Sequence, residues 1–292
     1  MNMDLTEIFC KLDDFCTVKN IDSQKILTDF KRKRNRKYRL CPGEIATILV
    51  YFHLSNFRTF KHFYLQKIWQ SKEFPNAVSY NRFVELMPIA FTILLFYQLE
   101  YSQGKCTGIS FVDSTILQAC HNRRIHSHKV MEGVAQRGKS SLGWFYGLKL
   151  HLITNDKGEI IAFYITPGNV DDRNLELMEK LHKGVFGKLF GDKGYISQKL
   201  FDFLYIRNIQ LVTKIKKNMK NKLMDFYDKL LLRKRAIIES INDVLKNICQ
   251  IQHTRHRSPV NYFVNLMSGI VAYSFLQKKP SLQLDKNIQI AF

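Results

Sequence analysis

Two short apolar segments of this chain each run directly into an aspartate, and this pattern restricts the fold more than any other feature of the sequence. Residues 108–113 are mostly apolar, aromatic or β-branched, which predicts a buried strand that ends at Asp113. Residues 184–192 have the same construction and end at Asp192. A buried carboxylate must be paired, hydrogen-bonded or metal-bound, because burying a bare charge is costly. Taken alone, Asp113 fits the cap of a following helix better than a buried functional carboxylate. The choice between the two interpretations therefore depends on whether the rest of the chain supplies partners for Asp113.

The charge balance indicates a polyanionic partner. The 292 residues include 45 Lys and Arg against 25 Asp and Glu, a formal net charge of +20. Such an excess is typical first of proteins that bind nucleic acid and second of proteins at an anionic membrane surface. A merely basic cytosolic protein is the remaining alternative. The longest apolar run, residues 87–97, is too short to span a bilayer and contains a proline, so we predict no membrane insertion.

The six cysteines contain no CxxC pair and no zinc-type cluster with histidine. We interpret them as free thiols in a reducing compartment. The first 14 residues carry acids instead of an apolar signal segment. The sequence therefore predicts a cytoplasmic protein.

The spacing of apolar residues changes near residue 105. Residues 1–105 follow a helical period, and residues 106–280 mix strand and helix patterns, which together predict an α/β protein with a helical module in front. Residues 281–292 are predicted to form a loosely ordered tail. Within the helical module, residues 31–39 are basic at seven of nine positions, including Lys33 and Arg34. We interpret them as a phosphate-contacting arm, with a solvated loop or a nuclear-import signal as the alternatives.

The mixed part predicts a hairpin and a basic loop. Residues 146–153 and 160–165 alternate as strands around the turn at 155–158. The loop at 121–143 is predicted to be flexible and to meet nucleic acid through Arg124, His126, His128 and Lys129. A metal site at His126 and His128 is disfavoured, because their spacing fits neither a helix face nor a zinc finger. After the hairpin, Asp171 and Asp172 fit the first turn of a helix, with a catalytic role for either held in reserve.

A long helix predicted from about residue 230 to 249 supplies a third carboxylate. Glu239 shares a face with Asn242, and Arg235 lies one turn earlier. Carboxylates brought together from separate elements can hold two divalent cations, which activate a nucleophile and stabilise the leaving oxygen of a phosphodiester. Such hard oxygen ligands select Mg²⁺ or Mn²⁺ over zinc.

Several motifs together carry a resemblance to a known family. They lie at residues 57–64, 79–83, 113–115, 121–129, 143–147, 167–173 and 191–195. With these motifs the chain resembles the DDE transposases of bacterial insertion sequences, most closely the insertion-sequence-982 family, from about residue 42 to 273. The resemblance implies a ribonuclease-H-like catalytic core.

By this resemblance Asp113, Asp192 and Glu239 are the DDE triad and the metal ligands. Glu239 also fits the signature Tyr-x2-Arg-x3-Glu-x6-Lys through Arg235 and Lys246, although Leu232 stands where that signature has tyrosine. Lys246 and Arg235 are then DNA contacts, as is Lys193 beside Asp192. An ordinary surface lysine on a helix is an equal interpretation of Lys246.

The implied function is a transposase that cuts DNA at the ends of its element. A free 3′-hydroxyl then attacks target DNA, with Mg²⁺ as cofactor and Mn²⁺ able to replace it. The implied partners are double-stranded DNA and a second or further copies of the chain in the synaptic complex, and the implied location is the bacterial nucleoid. The alternatives are a ribonuclease H or a resolvase on a similar core, and a DNA-binding protein without catalysis.

Overall fold

The computed structural model describes residues 4–21, 39–141, 143–215, 219, 224–252 and 256–282. The predicted phosphate contacts Lys33 and Arg34 lie outside these residues, as does most of the predicted tail. The helices are α1 (Leu5–Val18), α2 (Pro42–Leu54), α3 (Phe60–Phe63), α4 (Tyr80–Leu86), α5 (Ile89–Glu100), α6 (Leu175–Leu181), α7 (Gln198–Tyr205), α8 (Phe226–Lys234), α9 (Ala236–Asp243) and α10 (Pro259–Phe275). The strands are β1 (Ile109–Cys120), β2 (Gln136–Ser140), β3 (Gly143–Asn155), β4 (Ile160–Pro167), β5 (Gly187–Gly191) and β6 (Ile209–Thr213).

Single turns of other helix types complete the described elements. Residues Tyr64–Ile68 and Val244–Ile248 form π-helical turns, and Asn122–Ser127 and Lys193–Tyr195 form 3₁₀ turns.

The contacts divide the chain into two compact units. The helical unit contains Met1–Ser102 and Val244–Leu276, and the sheet unit contains Gln103–Asp243 and Gln277–Phe292. The change in apolar spacing predicts one domain over residues 106–280, whereas the contacts group Val244–Leu276 with the N-terminal helices. The physical reason is the composition of α10, which is apolar on nearly every side and packs against α2 and α5.

The start of α2 shows how the sequence sets a helix boundary in the helical unit. Pro42 occupies the first turn, where its missing N–H costs nothing. Cys41 and Glu44 form a reciprocal cap in which Glu44 Oε2 accepts the Cys41 N–H at 2.7 Å.

None of the described helices alone is both long enough and apolar enough to cross a membrane. One bent pair, α4 with α5, meets the two criteria when its helices are taken together.

A mixed sheet of six strands forms the sheet unit. Its order is β2-β3-β1-β5-β6, and β4 also pairs with β3. The ladders of β1 with β3 and of β3 with β4 are antiparallel, whereas those of β1 with β5 and of β5 with β6 are parallel. The predicted hairpin is confirmed, because β3 and β4 pair around a turn that a bond from the Gly158 N–H to the Asn155 carbonyl closes.

The structure corrects two predicted boundaries. Strand β1 does not end at Asp113 but continues to Cys120, because the segment after Asp113 has strand-forming residues that pair with β3. Only the parallel ladder with β5 stops early, at Phe111 opposite Phe190. The predicted flexible loop also contains a strand, β2, which forms a hairpin with β3.

The two faces of β1 carry different side chains. Val112 points into an apolar cluster that α6 and α7 complete, together with Ile153 and Leu189 of the neighbouring strands. Successive residues of a strand point to opposite faces, so Asp113 points to the other face, where α9 contacts β1. This alternation places the carboxylate outside the main apolar cluster.

Candidate active site

Asp113 lies on the central strand of the sheet, just past the end of the parallel ladder with β5. It faces Leu152 of β3 across the antiparallel ladder and is partly buried. Asn242 of α9 donates its side-chain amide to Asp113 Oδ2 at 3.0 Å. One oxygen of the carboxylate is therefore held by a neutral donor.

Asp192 follows β5 directly and begins the 3₁₀ turn Lys193–Tyr195. The Gly194 N–H donates to Asp192 Oδ1 at 2.6 Å, and this bond fixes the carboxylate at the exit from the strand. Because β1 and β5 are parallel neighbours, residues that follow the paired part of each strand come to the same edge of the sheet. The fold thus brings Asp192 to the edge at which Asp113 lies.

Glu239 comes to the site from α9, the helix that also carries Asn242. Arg235 Nη2 donates to Glu239 Oε1 at 2.6 Å, one helical turn apart. The Glu239 side chain is 57% exposed, whereas that of Arg235 is 16% exposed. Glu239 is therefore the solvent-facing carboxylate of the three, and the guanidinium occupies one of its oxygens.

The carboxylate of Asp113 is influenced by burial and by charged neighbours. Burial of the side chain raises the pKa of Asp113 to about 6. The Arg235 guanidinium and the Ser114 N–H lower this pKa, and the charges of Asp192 and Glu239 raise it. Asp192, Glu239 and Arg235 are thus the charged side chains that act on the Asp113 carboxylate.

The donor set suits a divalent cation in chemistry, but it does not form a closed cage. Carboxylate oxygens that repel one another are the hard ligands that Mg²⁺ prefers, and Oδ1 of Asn242 is buried with no hydrogen-bond partner among the described residues. Within that same part of the chain, no three His, Cys, Asp or Glu side chains come close enough to hold a metal ion. The residues fit the ion by type, and Glu239 is turned toward Arg235.

Sequence reasoning misplaced the two aspartates before α6. That helix begins at Leu175 with Asn174 as its cap, so Asp171 and Asp172 lie in the preceding loop and not in the first turn. Asp171 binds Arg173 at 2.6 Å. Asn174 caps the helix because its side-chain oxygen accepts a hydrogen bond from the Leu177 N–H.

Asp172 instead joins a polar group on β3 that sequence reasoning missed. Lys149 Nζ donates to the Val170 carbonyl at 2.9 Å and to Asp172 Oδ1 at 3.1 Å, which ties the loop to the strand. His151 Nδ1 lies 3.7 Å from the same Asp172 oxygen. Burial lowers the pKa of His151 to about 4. The sequence feature that could have revealed this group is the pair Lys149 and His151, two polar residues at alternate positions of an otherwise apolar strand.

Charges of this polar group and of the predicted triad both act on Tyr195. Its phenol is buried, and burial raises its pKa well above the usual value. The negative charges of Asp172, Asp113 and Asp192 act in the same direction. Nothing in the sequence pattern distinguished Tyr195 from a core tyrosine.

The predicted DNA contacts occupy several surfaces. Arg124 and His126 lie exposed on the 3₁₀ turn Asn122–Ser127, and Lys129 is exposed just beyond it. His128 packs edge-on against Tyr146, with ring centroids 6.4 Å apart. Three further predicted contacts complete the set: Lys193 is exposed directly after Asp192, Arg235 lies within the carboxylate group, and Lys246 lies on the π-helical turn of the helical unit.

Comparison with known proteins agrees with this architecture. A family model described as a transposase DDE domain matches residues 103–259. Among solved structures, the chain is similar to a piggyBac transposase in a synaptic complex with hairpin DNA, at 11% identity and a TM-score of 0.50, covering 94% of this chain and 75% of that one. No curated protein sequence matches. The structural likeness confirms the predicted ribonuclease-H-like α/β fold. Because the family match spans more than half of the 292 residues, the chain belongs to the transposase DDE domain family.

Proposed function

We propose that this protein is a transposase that cleaves DNA at the ends of an insertion sequence of the 982 family and joins the 3′-hydroxyl to target DNA. The observation that carries the proposal is the placement of Asp113 on the central strand of a DDE domain, where the charges of Asp192 and Glu239 both act on its carboxylate. Carboxylates that act on one another are unfavourable without a cation, because the charge of each raises the cost of ionising the next. In the proposed site a bound cation removes this repulsion, so the carboxylates favour cation binding.

Asp113, Asp192 and Glu239 are the proposed ligands of Mg²⁺, with Mn²⁺ as a substitute. When bound, such ions activate the attacking oxygen and stabilise the leaving oxygen of the phosphodiester. Asn242 orients the Asp113 carboxylate through the bond to Oδ2. Arg235 neutralises Glu239 in the absence of a ligand and is available to a DNA phosphate when Glu239 turns away.

Double-stranded DNA is the proposed partner, as transposon end and as target. The net charge of +20 supports this, as does the DNA in the similar synaptic complex. The proposed backbone contacts are Lys33, Arg34, Arg124, His126, His128, Lys129, Lys193, Arg235 and Lys246. We propose that residues 1–105 read the ends, that two or more copies join them, and that the protein acts in the cytoplasm on the nucleoid.

A DNA-binding protein without catalysis is the second candidate. The observation in its favour is the Arg235–Glu239 ion pair, which occupies one of the three carboxylates. A related nuclease that cuts RNA–DNA hybrids or junctions would use the same carboxylates, so its substrate is what separates it from a transposase.

The deciding experiment is strand cleavage of linear DNA that carries the element's own ends. Wild type and Asp192→Asn are compared in Mg²⁺, in Mn²⁺ and in chelator, with the exposed Asp202→Asn as matched control. The proposal expects metal-dependent cuts at the end boundary, lost in Asp192→Asn and retained in Asp202→Asn. Tight binding with no cut in either metal supports the second candidate, and preferential cutting of an RNA–DNA hybrid supports the related nuclease.

A further inference from the structure

Trp144 is a large aromatic side chain that the sheet unit leaves in solvent. It stands near the start of β3, in the hairpin with β2, and is 53% exposed. Lys139 of β2 lies directly opposite Trp144, and Arg137 lies opposite Tyr146. Because alternate residues of a strand share a face, both cations lie on the face that carries Trp144.

The two cations contact the indole ring. Arg137 Cζ lies 4.9 Å from the ring centroid of Trp144, and Lys139 Nζ lies 5.8 Å from it. Both cationic residues are themselves exposed. A cation–π contact stabilises an exposed indole only modestly, and about half of the ring surface stays in water with both contacts made.

The backbone beneath this group is fixed. Asn122 Nδ2 donates to the Trp144 carbonyl at 2.6 Å, which joins the hairpin to the 3₁₀ turn Asn122–Ser127. That turn carries the exposed Arg124 and His126. Trp144 therefore lies beside a basic surface, on a strand whose backbone is hydrogen-bonded to the neighbouring turn.

We propose that Trp144, Arg137 and Lys139 form a stacking site for an exposed nucleobase of DNA, which rests on the proposed function for its biological context. The indole offers a π-face to a base of any sequence, as in proteins that bind single strands. The guanidinium and the ammonium bind the flanking phosphates. The ligand class is thus unpaired or locally opened DNA.

This site is separate from the carboxylates. Leu152 of β3 lies opposite Asp113, and Trp144 precedes Leu152 by eight residues on the same strand. At about 3.3 Å per residue the separation along the strand is roughly 26 Å. That length corresponds to about eight base pairs of duplex, so the stacked base lies away from the cleaved phosphodiester.

The chain permits a direct test, because Trp144 and Trp69 are its two tryptophans. Trp69→Phe leaves Trp144 as the sole indole emitter. Oligothymidylate and a blunt duplex of equal length are titrated against this variant in chelator, so that no cleavage occurs. We expect saturable quenching of Trp144 fluorescence by oligothymidylate and much weaker quenching by the duplex.

Affinity measurements on Trp144 variants complete the test. Trp144→Ala and Trp144→Leu are each expected to weaken oligothymidylate binding about tenfold, whereas Trp144→Phe retains most of it. Leucine keeps apolar volume without a π-face, so a loss shared by both variants is not a folding defect, and circular dichroism checks the fold. Arg137→Gln with Lys139→Gln is expected to reduce the salt dependence of binding.

The outcomes separate this inference from the proposed transposase activity. Unchanged oligothymidylate affinity in Trp144→Leu, with no quenching in Trp69→Phe, overturns the stacking site even if end cleavage is normal. Saturable quenching in a protein that never cleaves DNA keeps the stacking site and removes the transposase proposal. Equal quenching by the blunt duplex also overturns the inference, because a closed duplex buries the faces of its internal bases.

Discussion

Asn242 of α9 donates its side-chain amide to Oδ2 of Asp113 on β1 at 3.0 Å, between residues 129 positions apart in the sequence. The bond is made by a neutral donor to a carboxylate whose charge is already disfavoured by burial. It therefore selects the orientation of the carboxylate and lowers the cost of its ionisation.

Asn242→Leu is expected to lower end cleavage by about 10- to 100-fold, the usual cost of losing a group that orients a ligand. The pKa of Asp113 is expected to rise further, so the acidic limb of the pH–rate profile should move to higher pH. Ser240→Ala on the exposed side of the same helix is the control. An unshifted profile with reduced rate would show that Asn242 acts through packing alone.

Asp113→Asn is expected to stabilise the sheet unit at neutral pH. The pKa of Asp113 is about 6 in the fold against an ordinary 3.8, so the folded state binds more protons between these values. Stability therefore falls as pH rises from 3.8 to 6 and stays reduced above 6. The variant should raise the free energy of unfolding by about 3 kcal/mol at pH 7.5 and by little at pH 4. Urea melts in chelator at both pH values measure this, and a loss of stability at pH 7.5 contradicts it.

Mg²⁺ is expected to raise the melting temperature of wild type. A ligand that binds only the folded state, at about a hundredfold excess over its Kd, stabilises it by about 2.7 kcal/mol. The shift should vanish in Asp192→Asn and persist in Asp202→Asn, which carries the same charge change at an exposed helical site. Equal shifts in both variants would place the bound ion elsewhere on the protein.

The helical unit is expected to be acid-labile because of His53. Burial, with a smaller contribution from the neighbouring His256, lowers the pKa of His53 to about 4. A histidine that stays neutral in the fold but ionises in the unfolded chain makes stability fall as pH drops from 6.5 to 4, by about 3 kcal/mol. Trp69 fluorescence in a Trp144→Phe background reports on this unit. A melt that does not change with pH over this range contradicts the assignment.

Parts of the site were accessible from the sequence because they depend on local order. Asp192 follows β5 as predicted, since a strand that runs into a Gly-rich turn leaves little choice of geometry. The hairpin of β3 and β4 was equally accessible from alternation and turn chemistry. The shared helix face of Glu239 and Asn242 followed from their spacing.

Other parts depended on partners distant in sequence. Whether Asp113 caps a helix or lies within a strand is settled by pairing with β3, because Ser114 and Thr115 suit both conformations. The position of Asp172 likewise depends on a distant residue, because Lys149 of β3 holds its loop through a hydrogen bond to the carboxylate. Local propensity carries no information about such contacts.

The position of β1 along the chain determines when each part of the candidate site is synthesised. Asp113 lies in the first strand of the sheet to leave a ribosome, and its antiparallel partner in β3 follows about 40 residues later. The helix that supplies Glu239 and Asn242 is synthesised only after β6, the last strand in the described part of the chain. A nonsense or frameshift change between β6 and Arg235 therefore removes the amide, the guanidinium and the third carboxylate, whereas both aspartates stay in the product. Early termination yields an incomplete site and not a weaker one.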